Sequence, residues 1–370
     1  MRPMSDQLAE ILTGSFDVKT RVSIFHGTNR ITKDPLYPSS WSLNADLEAE
    51  VKTSGALTIP YQDPDGRSML PDGTDGDFSA FRARTFMEME VTAGGKPELI
   101  KLGWGRVVAN PPGTEEEGIV NGLPAITSSV IPLTWVGTEE TVRRKGFRVP
   151  AVPQSQSAWA EVRRLWGGTV ISSVPDVAIP PGTVWETSPG GRLRAIQTLG
   201  GWLGGRFRVN PSDYLVLVPD KLGPVVATLR LGERGTVTDI DTAVDTREVY
   251  NVVAGVYEGA DGAPIFAEAE IREGPLDVKG AYGENVLYDS DPAVKTQAQA
   301  DVRVRRLLDE AVGAQLYRVD VQCVVHPCIE IGDHVAISGW KRPLSGRVMT
   351  VGMSDSPLMN LTLEVTRRIT

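Results

Sequence analysis

Val249-Tyr250-Asn251-Val252-Val253-Ala254-Gly255-Val256-Tyr257, then Gly259-Ala260-Asp261-Gly262, then residues 264–272 read as two strands joined by a glycine-rich hairpin turn. The same strand-and-turn rhythm recurs toward both ends of the chain. Upstream, strands are expected over 18–25, 41–51, 55–60, 84–91, 100–108 and 126–134. Two clusters of turn residues lie among them, Gln62-Asp63-Pro64-Asp65-Gly66 and Pro71-Asp72-Gly73-Thr74-Asp75-Gly76-Asp77. Glu115-Glu116-Glu117-Gly118 reads as a solvated hairpin tip or loop. Downstream, 316–370 is again strand-like, with turns at His326-Pro327, Gly332-Asp333 and Asp355-Ser356-Pro357. Strands at this spacing predict an antiparallel barrel or sandwich.

Between the two strand-rich blocks the pattern changes. The Pro/Gln/Ser stretch 150–157 is a domain junction. Ser157 is placed to cap a short helix carrying Trp159, Val162 and Trp166, stopped by Gly167-Gly168. A second helix fits Leu193, Ile196, Leu199 and Leu203, and a hairpin over 207–218 turns at Asn210-Pro211-Ser212-Asp213. These make a small α/β unit. The longest helix is expected over 292–311, with Asp291-Pro292 supplying the N-cap and first-turn proline and Val294, Ala298, Val304, Leu308 and Ala311 the apolar stripe. At the start of the chain Leu8, Ile11 and Leu12 mark a short amphipathic helix. The fold class is therefore β-rich α+β: an arm at 1–14, a first β-barrel at 15–150, an α/β domain at 151–232, and a second barrel from 233–290 and 313–370. A helical insert at 291–312 interrupts the second barrel.

Composition narrows the function classes. The 370 residues hold two cysteines, too few for a disulfide framework, which points to assembly in a reducing cytoplasm. A net charge of −9 disfavours specific nucleic-acid binding, which draws its affinity from Lys and Arg on phosphate. No run reaches the roughly 20 apolar residues of a membrane helix. Nucleophile-elbow, zincin and P-loop motifs are absent.

Two clusters remain as candidate ligand sets. Cys323, His326 and Cys328, with Asp333 and His334 beyond, offer thiolate and imidazole of the kind zinc takes. Alternation along a strand turns the cysteines to opposite faces, however, and Pro327 intervenes, so the segment reads as a strand ending in a His-Pro turn. Asp239, Asp241 and Asp245 alternate like calcium ligands but lack the glycine and closing glutamate of a calcium loop. They read as a solvated connection. Neither cluster is assigned a metal, and no catalytic residue or cofactor is assigned. Trp185, Trp202 and Trp340 are the isolated aromatics that a carbohydrate-binding face would need, and each reads as core.

The segment from Tyr250 to Gly339 resembles the baseplate or tail-tip hub family of long-tailed bacteriophages. The resemblance rests on Tyr250-Asn251-Val252-Val253-Ala254-Gly255, Gly262-Ala263-Pro264-Ile265, Pro275-Leu276, Tyr282-Gly283, Gln297-Ala298-Gln299-Ala300, His326-Pro327 and Gly332-Asp333. The first block resembles minor tail proteins of phages infecting actinobacteria, through 41–60, Asp65-Gly66-Arg67-Ser68-Met69-Leu70-Pro71 and Leu102-Gly103-Trp104-Gly105-Arg106-Val107. The resemblance implies a non-enzymatic virion protein whose two tail-tube-like barrels form a homotrimeric, pseudo-sixfold ring. Its implied partners are the tail tube or distal tail protein and a central fibre or tip protein, with the tape measure protein a further candidate. Such a ring lets DNA pass on ejection, and net acidity would keep phosphate from sticking to its bore. A tail-associated hydrolase acting on the host envelope and a carbohydrate-binding recognition module are the alternatives.

Overall fold

The computed structural model describes residues 1–93, 97–120, 122–233, 235–241, 249–259, 261–291, 294–313, 316–339 and 344–366. Two compact units emerge: Met1–Asp239 with Val321–Pro343 and Arg347–Thr362, and Ile240–Asp320 with Leu344–Gly346 and Leu363–Thr370. The chain is β-rich, as expected, with a large, mainly antiparallel sheet.

The main sheet follows an open path of strands: Val237–Asp241, Leu316–Val324, Leu358–Thr366, Leu344–Ser354, Ser40–Asp46, Thr53–Tyr61, Leu123–Gly137, Glu98–Ala109, Ala83–Thr92, Asp17–His26 and Asn29–Arg30. Ala83–Thr92 shows why these segments are strands. Ala83, Thr85, Met87, Met89 and Val91 point inward and are buried, while the intervening residues are half-exposed. Each buried methionine contributes about 1.5–3 kcal/mol over an exposed one. Ser40–Asp46 pairs with Thr53–Tyr61 on one side and with Leu344–Ser354 on the other, so the last part of the chain completes a sheet begun by the first.

Two expectations change here. The strand predicted over 41–51 ends at Asp46, because the buried Lys52 ammonium donates to the carbonyls of Leu47 (2.8 Å) and Ala49 (2.6 Å) and curls the chain around itself. Glu115-Glu116-Glu117-Gly118 does belong to an exposed hairpin, but to its strand Thr114–Val120 rather than to its tip or a loop, paired with Leu123–Gly137 from Thr114↔Val130 to Val120↔Leu123. One indole dictates the packing beside that pair. Trp135 lies across Gly55 and Gly105 on the two flanking strands, and a Cβ on either glycine would sit 2.8 Å and 2.5 Å from its ring. Glycine is required there by close approach.

The α/β part of the first unit contains helices Ala158–Trp166 and Gly191–Trp202, the antiparallel pair Gly205–Val209 and Leu215–Pro219, and the parallel strand Val170–Ile171. Ser157 caps the first helix by accepting from the Ala160 amide at 3.0 Å, and Gly167 ends it. Trp159, Trp166 and Trp185 are core, with Trp159 edge-on to Phe207 at 5.7 Å. Ser5 caps the N-terminal helix Asp6–Ile11, which buries Leu8.

The second unit packs a long helix, Gln297–Gly313, on a three-stranded sheet of Pro264–Glu270, Val252–Glu258 and Val286–Asp289. The helix begins five residues later than predicted. Thr296 and Gln299 form a reciprocal capping box: the Thr296 hydroxyl accepts from the Gln299 amide (3.3 Å) and the Gln299 side chain accepts from the Thr296 amide (3.2 Å). That turns Ala300, Val304, Leu307 and Leu308 inward and leaves Ala298 exposed, correcting the expected stripe.

Candidate functional site

In the second unit the scattered motif pieces converge on one side chain. Asn251 is fully buried at the start of Val252–Glu258. Its amide donates to the carbonyls of Leu276 (3.0 Å) and Gly283 (2.7 Å), and its carbonyl oxygen accepts from the Asn285 amide at 2.8 Å. Tyr282 donates its hydroxyl to the Val249 carbonyl at 2.7 Å. A buried side-chain amide with three of its hydrogen-bonding positions filled fixes the 276–285 segment against the strand. Tyr257 then donates to Asp289 (2.8 Å), which Arg303 of the helix also grips; burial and the Asp289 hydrogen bond push the phenol up to about 12.

In the first unit the resembling segments are likewise structural. Glu330 is bound bidentately by Arg208 at 3.2 and 3.1 Å, and the buried Arg2 guanidinium, whose Nε lies 3.8 Å from Glu330, donates to the carbonyls of Pro327 and Ile329. Burial alone would raise the Glu330 carboxyl, but the charges of Arg2 and Arg208 outweigh it and hold it below the usual carboxylate range. Gly332 sits at φ +88°, a conformation open to glycine, in the turn closed by Asp333. Across the unit, Asp213 accepts from Arg84 (2.8 Å) and Thr138 (2.6 Å), clamping the α/β hairpin to the large sheet. Asp63 and Glu115 organise the 63–70 loop. Asp63 is held low chiefly by the Arg67 hydrogen bond, and Glu115 accepts from Ser68, Met69, Leu70 and Ser129. These two carboxylates escaped sequence reading because their partners are mostly backbone amides and hydroxyls.

Cys323, His326 and Cys328 are not assembled into a ligand set with Asp333 and His334. Cys323 and Cys328 are both buried, and burial pushes their thiols up to about 12 and about 11. Burial lowers His326, and the Nδ1 of His334 faces the Gly223 carbonyl at 2.7 Å. Among the described residues no group of three His, Cys, Asp or Glu side chains is arranged to hold a metal ion. Asp239 and Asp241 are exposed on strand Val237–Asp241; Asp245 and Trp340 lie outside the described residues. Trp202 is half-buried with its ring 6.1 Å from that of Trp185.

A partly open cavity beside Trp135 and Glu139 measures about 40 Å³, room for a few waters. Among the described residues no helix is long and apolar enough to cross a membrane.

The Asn251 amide, the Glu330 carboxylate with its two arginines, and Asp213 each hold loops or strands together. No family model matches the chain, and no curated protein matches its sequence. Solved structures do share its fold. A tail protein from Neisseria meningitidis MC58 superposes with a TM-score of 0.57 at 13% identity, over 94% of this chain and 96% of that one. The 43 kDa tail protein of prophage MuSo2 from Shewanella oneidensis gives 0.56 at 12% identity, over 94% and 98%. The chain thus has the fold of phage tail proteins along nearly its whole length.

Proposed function

We propose that this chain is a structural, non-enzymatic component of a phage tail tip, located in the virion and assembled in the host cytoplasm. Three copies form a pseudo-sixfold hub ring that joins the tail tube or distal tail protein to the central tip or fibre and lets DNA pass on ejection. The observation that carries this reading is end-to-end similarity to two phage tail proteins, spanning 94% of this chain and 96% and 98% of theirs. In the ring, 15–150 and the pair 233–290 with 313–370 serve as the two tube-like barrel domains. The part 151–232 lies between them in sequence, and 291–312 is a helical insert. An open sheet path suits a protein that finishes its edges on neighbours, because unpaired strands are a liability in an isolated chain.

Light scattering and electron microscopy of the purified chain, alone and mixed with its tail tube, test the proposal. Particles of three chains with threefold symmetry are the expected result. A strict monomer under both conditions, together with absence from the particle tip, refutes it.

A further inference from the structure

Two surfaces of the first unit complement one another without meeting. The first is the hairpin arm of Thr114–Val120 and Leu123–Gly137. Its end carries Ile119, Val120 and Leu123, which are 79%, 46% and 69% exposed, so no described segment of the same chain covers them. Three aliphatic side chains left in water on a tight turn are a surface waiting for a partner. Behind them Glu116 and Glu117 are exposed and make no ion pair among the described residues. Glu115 anchors the base of the arm through its bonds to Ser68, Met69 and Ser129. The five residues beyond it give a reach of about 17 Å at about 3.4 Å per residue.

The second surface is a groove of about 820 Å³ between residues 144–151 and 187–192. Lys145, Arg148 and Arg192 line it without a carboxylate partner among the described residues. The Arg192 guanidinium lies over the Phe147 ring at 5.6 Å, and Val149 beside it is 69% exposed. The groove is thus basic with an apolar floor, and the arm is acidic with an apolar tip.

We propose that the arm of one copy docks in this groove on the next copy, with Glu116 and Glu117 facing Lys145, Arg148 and Arg192, and Ile119 and Leu123 packed on Phe147 and Val149. Arm and groove are different surfaces of one chain, so the contact is head-to-tail. Such a contact does not make a twofold dimer; it makes a ring where the rotation from copy to copy closes, and an open filament where it does not. The inference rests on the proposed hub reading and names the surfaces that would make its ring.

Cysteine cross-linking tests it, because the native Cys323 and Cys328 are buried and do not compete. Ile119→Cys combined with Val149→Cys should give disulfide-linked species up to the trimer under mild oxidation, while each single variant gives only traces. Efficient linking of Ile119→Cys alone would mean tip-to-tip contact and overturn the proposal, as would failure of the double variant to link. Glu116→Lys with Glu117→Lys should weaken self-association roughly tenfold, and adding Lys145→Glu with Arg148→Glu should restore it. All these residues are exposed, so melting temperatures should stay unchanged. If the native chain forms trimers that neither charge set affects, the ring reading stands and this contact fails. If the native chain stays monomeric but the double cysteine variant links, the contact stands and the self-sufficient ring fails.

Discussion

Replacing Glu330 with Gln leaves two guanidinium groups facing a neutral amide inside the first unit. The Glu330, Arg2 and Arg208 side chains are only 8%, 7% and 11% exposed, so water replaces little of what is lost. Removing one partner of a buried pair costs about 3–5 kcal/mol. Arg2 keeps its carbonyl acceptors and Arg208 retains some access to solvent, which favours the lower end, about 3 kcal/mol. For a unit of this size each kcal/mol moves the melting temperature by about 2–4 °C, so calorimetry at pH 7 should show a drop of about 6–12 °C. The pH dependence has a definite sign. Arg2 and Arg208 depress the folded-state pKa below 4.5, so the stabilisation is complete above the unfolded value and lost as pH falls through the folded one. The gap between native and variant should therefore hold at neutral pH and narrow only below about pH 4.5. Arg208→Met should cost much less in the Glu330→Gln background than alone, since the two share one interaction. A drop under about 2 °C, or a gap unchanged down to about pH 3, would refute the claim that an ionised Glu330 holds this cluster.

Gly55→Ala should destabilise the large sheet by about 1–3 kcal/mol or more, because the new Cβ would lie 2.0 Å from the Ser42 carbonyl oxygen and 2.8 Å from Trp135. Thermal unfolding followed by tryptophan fluorescence reads the loss, and a neutral variant would contradict the close approach. Thr296→Ala should cost about 1 kcal/mol in the second unit by opening the capping box. Hydrogen exchange should quicken at the first-turn amides of Gln297–Gly313 and stay unchanged in the first unit; equal protection in both proteins would show that the box contributes nothing.

The strands with one buried face were legible before the structure, and Ala83–Thr92 is the clearest because every second residue is inward. Thr114–Val120 was misread for the complementary reason: it has no buried face, so its sequence carries no period of two and its glutamates resemble a loop. The long helix was mis-started because Asp291-Pro292 and Thr296-Gln297-Ala298-Gln299 are both helix-start signals, and only the reciprocal bonds of the second decide between them. Asn251, Leu276 and Gly283 were noticed separately, whereas their meeting in one hydrogen-bonded knot depends on a three-dimensional path that spacing does not encode. The same holds for the basic groove, whose walls come from segments some forty residues apart.

The pairing of Ser40–Asp46 with Leu344–Ser354 also sets a clock. A ribosome delivers the second strand about three hundred residues after the first, a delay of about 15–60 s at about 5–20 residues per second. Throughout that interval one edge of the first strand has no partner from its own chain. A product terminated before Leu344 keeps that edge open for good, so the sheet is finished only once 344–354 has been made. An unpaired strand edge thereby distinguishes a truncated copy from a finished one.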